Sequence, residues 1–217
     1  MPKWVTLLPH SIILVDANIP TDSYSFLNVT SSDITAIQFT NDRSSLALFN
    51  IYNDCTNNNS LTTLSTYFTS SLCTACPHHD DNMLWISDFN HHHPMWETVD
   101  NCHLNSLEAN IQPLLQLLEK HDMTLALLPG LPTLQTSNNQ WTQPDNVWRR
   151  QNGSNPIITC EVTPSLCPPN MDHMPITTII KMPIPYVSQA PSKNSQEVDW
   201  KNFNASLKEK LDSHSPA

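Results

Sequence analysis

Residues Trp85 to Trp96 read WISDFNHHHPMW, an apolar run that stops at Asp88, skips one residue to Asn90 and opens into three consecutive histidines, a proline and a tryptophan. The run MLWI before Asp88 is apolar on both faces, as in a strand covered on both sides. Side chains two apart in an extended chain point the same way, so Asp88 and Asn90 project together beyond the strand end. One carboxylate and one amide oxygen aimed into the same space suit a hard cation such as Mg²⁺, which takes oxygen ligands and keeps several waters. A strand-end turn with an Asx cap would give the same pair.

Around this stretch, short apolar or alternating runs bounded by turn residues read as strands at Ile12–Val15, Ile34–Phe39, Leu46–Tyr52, Met83–Asp88, Thr124–Leu127, Ile157–Val162 and Pro175–Lys181. Leu61–Leu72 and Ile111–His121 read as helices, the second with Asn110 as N-cap and Pro113 in its first turn. The chain has 2 glycines, so turns fall to Asn, Asp and Pro, and residues Pro129–Asp145 read as an ordered surface loop. The order mixes strands with helices, and 217 residues suffice for one sizeable domain. After Pro183 the chain becomes Pro/Ser/Gln/Lys-rich. This divides it into a domain over 1–184, a linker over 185–198, an amphipathic helix over 199–212 carrying Trp200, Phe203, Leu207 and Leu211 on one stripe, and a tail over 213–217.

Charged residues make up 14% of the chain, against an average of roughly 25%. The net charge of −10 argues against strong nonspecific attraction to a phosphate backbone, so any nucleic-acid contact has to be local. The six cysteines, Cys55, Cys73, Cys76, Cys102, Cys160 and Cys167, are too few for a disulfide scaffold at this length. With no secretory leader recognised, the expected location is intracellular, nuclear or cytoplasmic. LLPHSIILV is interrupted by Pro9 and His10 and is too short for a membrane span, so no membrane partner is expected, and it reads as a buried strand. In CTACPHHDD, Cys73, Cys76, His78 and His79 mimic zinc spacing. A site of that type needs its second pair farther along, so a helix end and a variable loop is the reading adopted.

Two further stretches carry chemistry. Asp172-His173 directly precedes a strand, and an imidazole there can act on a phosphate or on water if a carboxylate orients its far nitrogen. Asp145 in WTQPDNVW is a candidate for that carboxylate; a plain turn aspartate is the alternative.

The order DFN with HHPMW, then LLPGLPT, then WTQPDNVW, then DHMPI resembles the endonuclease/exonuclease/phosphatase superfamily. The branch is that found as the endonuclease domain of non-LTR retrotransposons, and the likeness covers roughly Pro2 to Pro183. VDWKNFNASLKEKL likewise resembles the segment joining such endonucleases to a downstream reverse transcriptase.

The resemblance implies an α/β, DNase I-like, four-layer α/β/β/α sandwich and a DNA-nicking phosphodiesterase that uses Mg²⁺ or Mn²⁺ and no small-molecule cofactor. Asp88 resembles the aspartate that positions or activates the attacking water, with Asn90 its partner in holding phosphate or metal. His173 resembles the phosphate-contacting imidazole, oriented by Asp145, and Asp172 resembles a metal-side carboxylate. Tyr52 matches a phosphate-contacting tyrosine, with a half-buried strand tyrosine as the plainer reading. His92, His93, Pro94 and Trp96 match a loop that shapes the rim of the site.

Two departures stand out. The family's amino-terminal strands, one with an Asn and one ending in a metal-binding Glu, have no counterpart; Glu97 and Glu108 do not occupy that motif. Ser87 also replaces the glycine usual before DFN. The domain is therefore expected to lack its first strands. A catalytically dead transposon remnant and a protein-interaction module using the terminal helix compete with the active nuclease.

Overall fold

The computed structural model describes residues 9–41, 44–76, 81–151 and 155–182, with 201, 202 and 205. Its strands are β1 (Tyr24–Leu27), β2 (Ile34–Thr40), β3 (Ser45–Tyr52), β4 (Asn82–Asp88), β5 (Met123–Leu125), β6 (Leu134–Gln135), β7 (Trp141–Thr142), β8 (Asp145–Arg150), β9 (Ile157–Val162) and β10 (Ile176–Ile180). Helices α1 (Asn59–Ala75) and α2 (Glu108–Lys120) complete the regular elements, with single 3-10 turns at Thr21–Ser23, Val99–Leu104 and Pro164–Leu166. Six strands form one sheet in the order β1-β2-β3-β4-β8-β5. The β3–β4 pair, joined through α1, is parallel, and every other pair in it is antiparallel.

Alternation along β3 and β4 assigns the two faces of this sheet. Ala47, Phe49 and Ile51 of β3, Met83 and Trp85 of β4 and Trp148 of β8 belong to the buried core. Leu61, Leu64 and Phe68 of α1 and Ile111, Leu114, Leu117 and Leu118 of α2 supply the rest of it. Phe68 stacks on Trp85 with centroids 5.5 Å apart and meets Phe49 edge-on at 5.0 Å, the offset and T-shaped geometries that aromatic quadrupoles favour.

The opposite face carries Leu48, Leu84, Ile86 and Val147. It looks across a cleft of about 450 Å³ at Ile176, Thr178 and Ile180 of β10, which pairs with β9 in a two-stranded antiparallel sheet. The mixed α/β class expected from the sequence is the class observed. Among the described residues, α1 and α2 pack on one face of the six-stranded sheet and the β9–β10 pair faces the other. No membrane-length apolar helix occurs among them.

Several local expectations need correction. Ile12–Val15 is not a strand. Ser11 Oγ donates to the Asn50 carbonyl, Asn50 Nδ2 donates to the Ile12 carbonyl, and Thr35 Oγ1 donates to the Ser11 carbonyl, so side-chain ties replace a ladder. Ile12 and Leu14 are left 66% and 86% exposed rather than buried. The loop over Pro129–Asp145 contains the β6–β7 hairpin, turned at Asn139 with φ 59°, a conformation asparagine tolerates. Helix α2 starts before Asn110, whose carbonyl accepts from Asn58 Nδ2, and Pro113 falls inside the helix. Its ring leaves the Ala109 carbonyl without the usual helical donor, which is tolerated because Ala109 is exposed.

In the zinc-like stretch, Cys76 closes α1 as a buried thiol whose pKa burial pushes up to about 11; the Cys73 side chain, His78 and His79 lie outside the described residues. The expected linker lies outside them too, as does the terminal helix except for Lys201, Asn202 and Ala205, which are helical and exposed.

Trp85 is fully buried between Phe68 and His121. Trp85→Ala is expected to cost about 3–5 kcal/mol, from lost transfer energy and the cavity left behind. Urea unfolding of the two proteins measures this, and a loss below about 1 kcal/mol would contradict the assigned core.

Candidate active site at the strand ends

Register decides which side chains meet. Tyr52 on β3 stands opposite Asp88 on β4, and Asp88 stands opposite Asp145 on β8. All three lie on the cleft face at one end of the sheet, with neighbouring strands about 4.8 Å apart. His173 reaches the same place from the segment before β10, forming an isolated bridge with Leu134. Its Nδ1 lies 2.9 and 3.2 Å from the two oxygens of Asp145. Donor atoms of Asp88, Asp145 and His173 all lie within 4.8 Å of one another.

Thr133, fully buried, sets the Asp145–His173 geometry from both sides. Its Oγ1 accepts from the Asp145 amide at 3.2 Å, its carbonyl accepts from the Met174 amide at 2.7 Å, and its amide donates to the Thr142 carbonyl at 2.8 Å. The Gln135 amide donates to the Asp172 carbonyl at 2.9 Å, which fixes the same segment. One residue therefore holds the main chain at the carboxylate and beside the imidazole. Nothing in LLPGLPT marked Thr133 for that role beyond its place next to a proline.

Asn90 adopts φ 52°, the left-handed conformation that suits asparagine. Its main-chain amide donates to Asp88 Oδ1 at 3.0 Å, and its Nδ2 donates to Asp88 Oδ2 at 3.1 Å and to the Asn53 carbonyl at 2.7 Å. Asn53, fully buried, braces this turn. Its amide donates to the Asp88 carbonyl at 3.0 Å, its Nδ2 to the Phe89 carbonyl at 3.1 Å, and its Oδ1 accepts from Ser60 Oγ at 2.6 Å.

The three histidines go separate ways. His91 is buried, with Nδ1 3.2 Å from Ser106 Oγ and Nε2 3.3 Å from Asn53 Nδ2. His92 Nδ1 lies 2.6 Å from Glu97 Oε1, and His93 packs on Trp96 with centroids 5.2 Å apart. Trp96, expected on the rim, is instead fully buried, edge-on to Trp148 at 5.6 Å, and its Nε1 donates to the His91 carbonyl. Its bulk anchors the loop from beneath.

Glu97 is the residue that sequence reasoning set aside and the structure makes important. Buried, it also accepts from Asn101 Nδ2 at 2.8 Å and from the Gln143 amide at 2.9 Å, tying the histidine loop to the chain entering Asp145. Burial raises its pKa, but the hydrogen bonds from His92, Gln143 and Asn101 outweigh this and hold it below the ordinary carboxylate value.

Electrostatics separate the site's acids from its imidazole. Burial first, then the charge of Asp145, raises the Asp88 pKa against the opposing bonds from Asn90 and the pull of His173. The hydrogen bond to Asp145 pushes His173 up to about 9 despite burial, helped by the charges of Asp145, Asp88 and Asp172. Burial and then Asp88 also raise the Tyr52 phenol. His173 is thus a cation at neutral pH. Because its folded pKa lies above its unfolded one, its stabilising contribution is complete below the ordinary imidazole value and disappears as pH rises through about 9.

The donor set fits a hard cation at one position. His173 engages both oxygens of Asp145, whereas Asp88 offers carboxylate oxygens beside an Asn90 amide whose nitrogen arm is tied back to the protein, leaving its oxygen for a ligand. A carboxylate and an amide oxygen, completed by water and phosphate, match how Mg²⁺ is usually held. Asp172 is exposed and lies outside the group of atoms within 4.8 Å, acting on His173 through its charge.

Solved structures of the endonuclease/exonuclease/phosphatase class share this mixed α/β fold. The endonuclease domain of TRAS1, a telomere-specific non-LTR retrotransposon, superposes with a TM-score of 0.58 at 13% identity, over 75% of this chain and 71% of that one. The Neisseria 3′ phosphatase NExo bound to a product DNA hairpin gives 0.54 at 12%, over 75% and 72%. The NExo 3′-5′ exonuclease from Neisseria meningitidis gives 0.51 at 14%, over 73% and 71%. No curated protein matches the sequence. The endonuclease–reverse transcriptase family model matches residues 46–177, well over half of the chain, and the chain belongs to that family.

An NMR titration of the histidine side chains should find His173 titrating near 9 and, in Asp145→Asn, near the ordinary imidazole value of 6.5. An unchanged His173 titration in that variant would contradict the Asp145–His173 pair.

Proposed function

We propose that the chain hydrolyses phosphodiester bonds in DNA with a divalent cation, Mg²⁺ or Mn²⁺, as a nicking endonuclease of retrotransposon origin. The observation that carries this reading is the convergence of Asp88, Asp145 and His173 within 4.8 Å at the strand ends, with Tyr52 and Asn90 beside Asp88. Such a cluster joins a general base, a hydrogen-bonded cation and a hard-ligand position in one place.

Asp172 acts on His173 through its charge, and Asp88 and Asn90 would hold the cation. Bound there, it would supply charge neutralisation at the phosphate and a more acidic water. Asp88 positions the attacking water and accepts its proton through the carboxylate oxygen turned away from the cation. His173, held by Asp145 through Nδ1, turns Nε2 toward a phosphate oxygen and donates to the charge that develops in the transition state. Tyr52 donates a hydrogen bond from its phenol to a second phosphate oxygen, and Asn90 fixes the direction of the Asp88 carboxylate. As the P–O bond opposite the attacking water breaks, the leaving oxygen takes a proton from solvent. His92 and His93 line the approach.

A catalytically dead remnant is the competing reading, and one observation favours it: among the described residues the cluster contains two carboxylates and no glutamate. Conversion of supercoiled plasmid to open circle in Mg²⁺ or Mn²⁺ separates the two. Asp88→Ala and His173→Ala are each expected to lower the nicking rate by about 10²–10³-fold. Wild-type nicking no faster than that of the double variant would overturn the enzymatic reading.

A further inference from the structure

The row of strand-end residues extends one strand beyond the site. The Tyr52 amide donates to the Asp33 carbonyl at 2.8 Å, so Asp33 at the edge of β2, Tyr52, Asp88 and Asp145 stand side by side across four strands on one face. At one end of the row Asp145 holds His173; at the other, Asp33 Oδ1 lies 2.6 Å from Nδ1 of His10. The two carboxylate–imidazole pairs thus flank Tyr52 and Asp88, about 14 Å apart by strand spacing.

His10 is positioned rather than merely tethered. Its amide donates to the Ser32 carbonyl at 2.9 Å, and its ring packs edge-on against Tyr52 with centroids 5.5 Å apart. Asp33 in turn accepts from Ser32 Oγ at 3.1 Å, and its amide donates to Ser31 Oγ at 3.0 Å. With the adjoining Ser11 and Ile12 bound to Asn50, the segment is fixed across the cleft face of β3. The His10 side chain is nevertheless 58% exposed, and Asp33 engages Nδ1 alone.

We propose that His10 is a second phosphate-binding group, taking a backbone phosphate of the nucleic-acid strand on the far side of Tyr52 from His173. The inference rests on the nuclease reading and extends it: the substrate is a polymer gripped at two phosphates rather than a phosphomonoester. A carboxylate on Nδ1 and a phosphate on Nε2 would each accept from one ring nitrogen, which takes both ring N–H groups. A chain of net charge −10 needs such local donors, since its overall field does not attract a polyanion.

His10→Ala and His10→Gln test this together. Glutamine keeps a donor for Asp33 and loses the second ring N–H, so a purely structural tether predicts wild-type behaviour for His10→Gln. Binding of a fluorescein-labelled DNA duplex in Ca²⁺ is read by anisotropy, and nicking of supercoiled plasmid in Mg²⁺ gives KM and kcat. Both variants are expected to raise Kd and KM about tenfold, the effect of one charge-assisted hydrogen bond, with kcat within about twofold of wild type. Wild-type Kd and KM in His10→Gln, or a loss confined to kcat, overturns the proposal while leaving the nuclease reading intact. A wild-type chain that neither nicks nor binds the duplex overturns both.

Discussion

The site depends on the register between β3, β4 and β8. Because β3 and β4 run parallel while β8 runs back, Tyr52, Asp88 and Asp145 reach the same level at one end of the sheet. A slip of one residue in either pairing would turn one of these side chains to the helix face and bury it against the aromatic core. The core resists this slip: Trp85 pairs with Trp148 across β4 and β8 and stacks on Phe68 of α1, so the apolar face that specifies the fold also specifies the polar row behind it.

On that frame, a few buried polar residues do the fine positioning. Thr133 spans the Asp145–His173 pair, Asn53 braces the Asp88–Asn90 turn, and Glu97 joins the histidine loop to the strand entry at Gln143. Each satisfies donors from separate chain segments, and removing one strands several buried groups at once. The consequence is chemical as well as structural. The Asp145 hydrogen bond pushes the His173 pKa up to about 9, while burial and the charge of Asp145 raise that of Asp88.

Much of this was legible from residue order alone. The apolar or alternating run Leu46–Tyr52 and the apolar MLWI marked the central strands, whereas Asp88 and Asn90 meet through the alternative Asx turn rather than along an extended chain, Asn90 standing at φ 52° with its amide donating to Asp88 Oδ1. The pairing of Asp145 with His173 was foreseen because an imidazole ahead of a strand needs an orienting carboxylate. Where the reading missed, long-range bonds were responsible. Side-chain ties to Asn50 hold Ile12–Val15 out of any ladder, and Trp96 is drawn under the loop by Trp148, fifty-two positions away in the chain. Glu97 matched no motif, yet its three donors come from residues 92, 101 and 143, a convergence no local pattern reveals.

The central claim is that strand ends assemble a hard-cation position at Asp88 and Asn90 beside the Asp145–His173 pair. Anomalous diffraction from crystals soaked in Mn²⁺ tests it most directly. The account predicts one manganese peak against the Asp88 carboxylate and the Asn90 amide oxygen, with the His173–Asp145 hydrogen bond retained. A peak that avoids Asp88, or no peak at this end of the sheet, would contradict it.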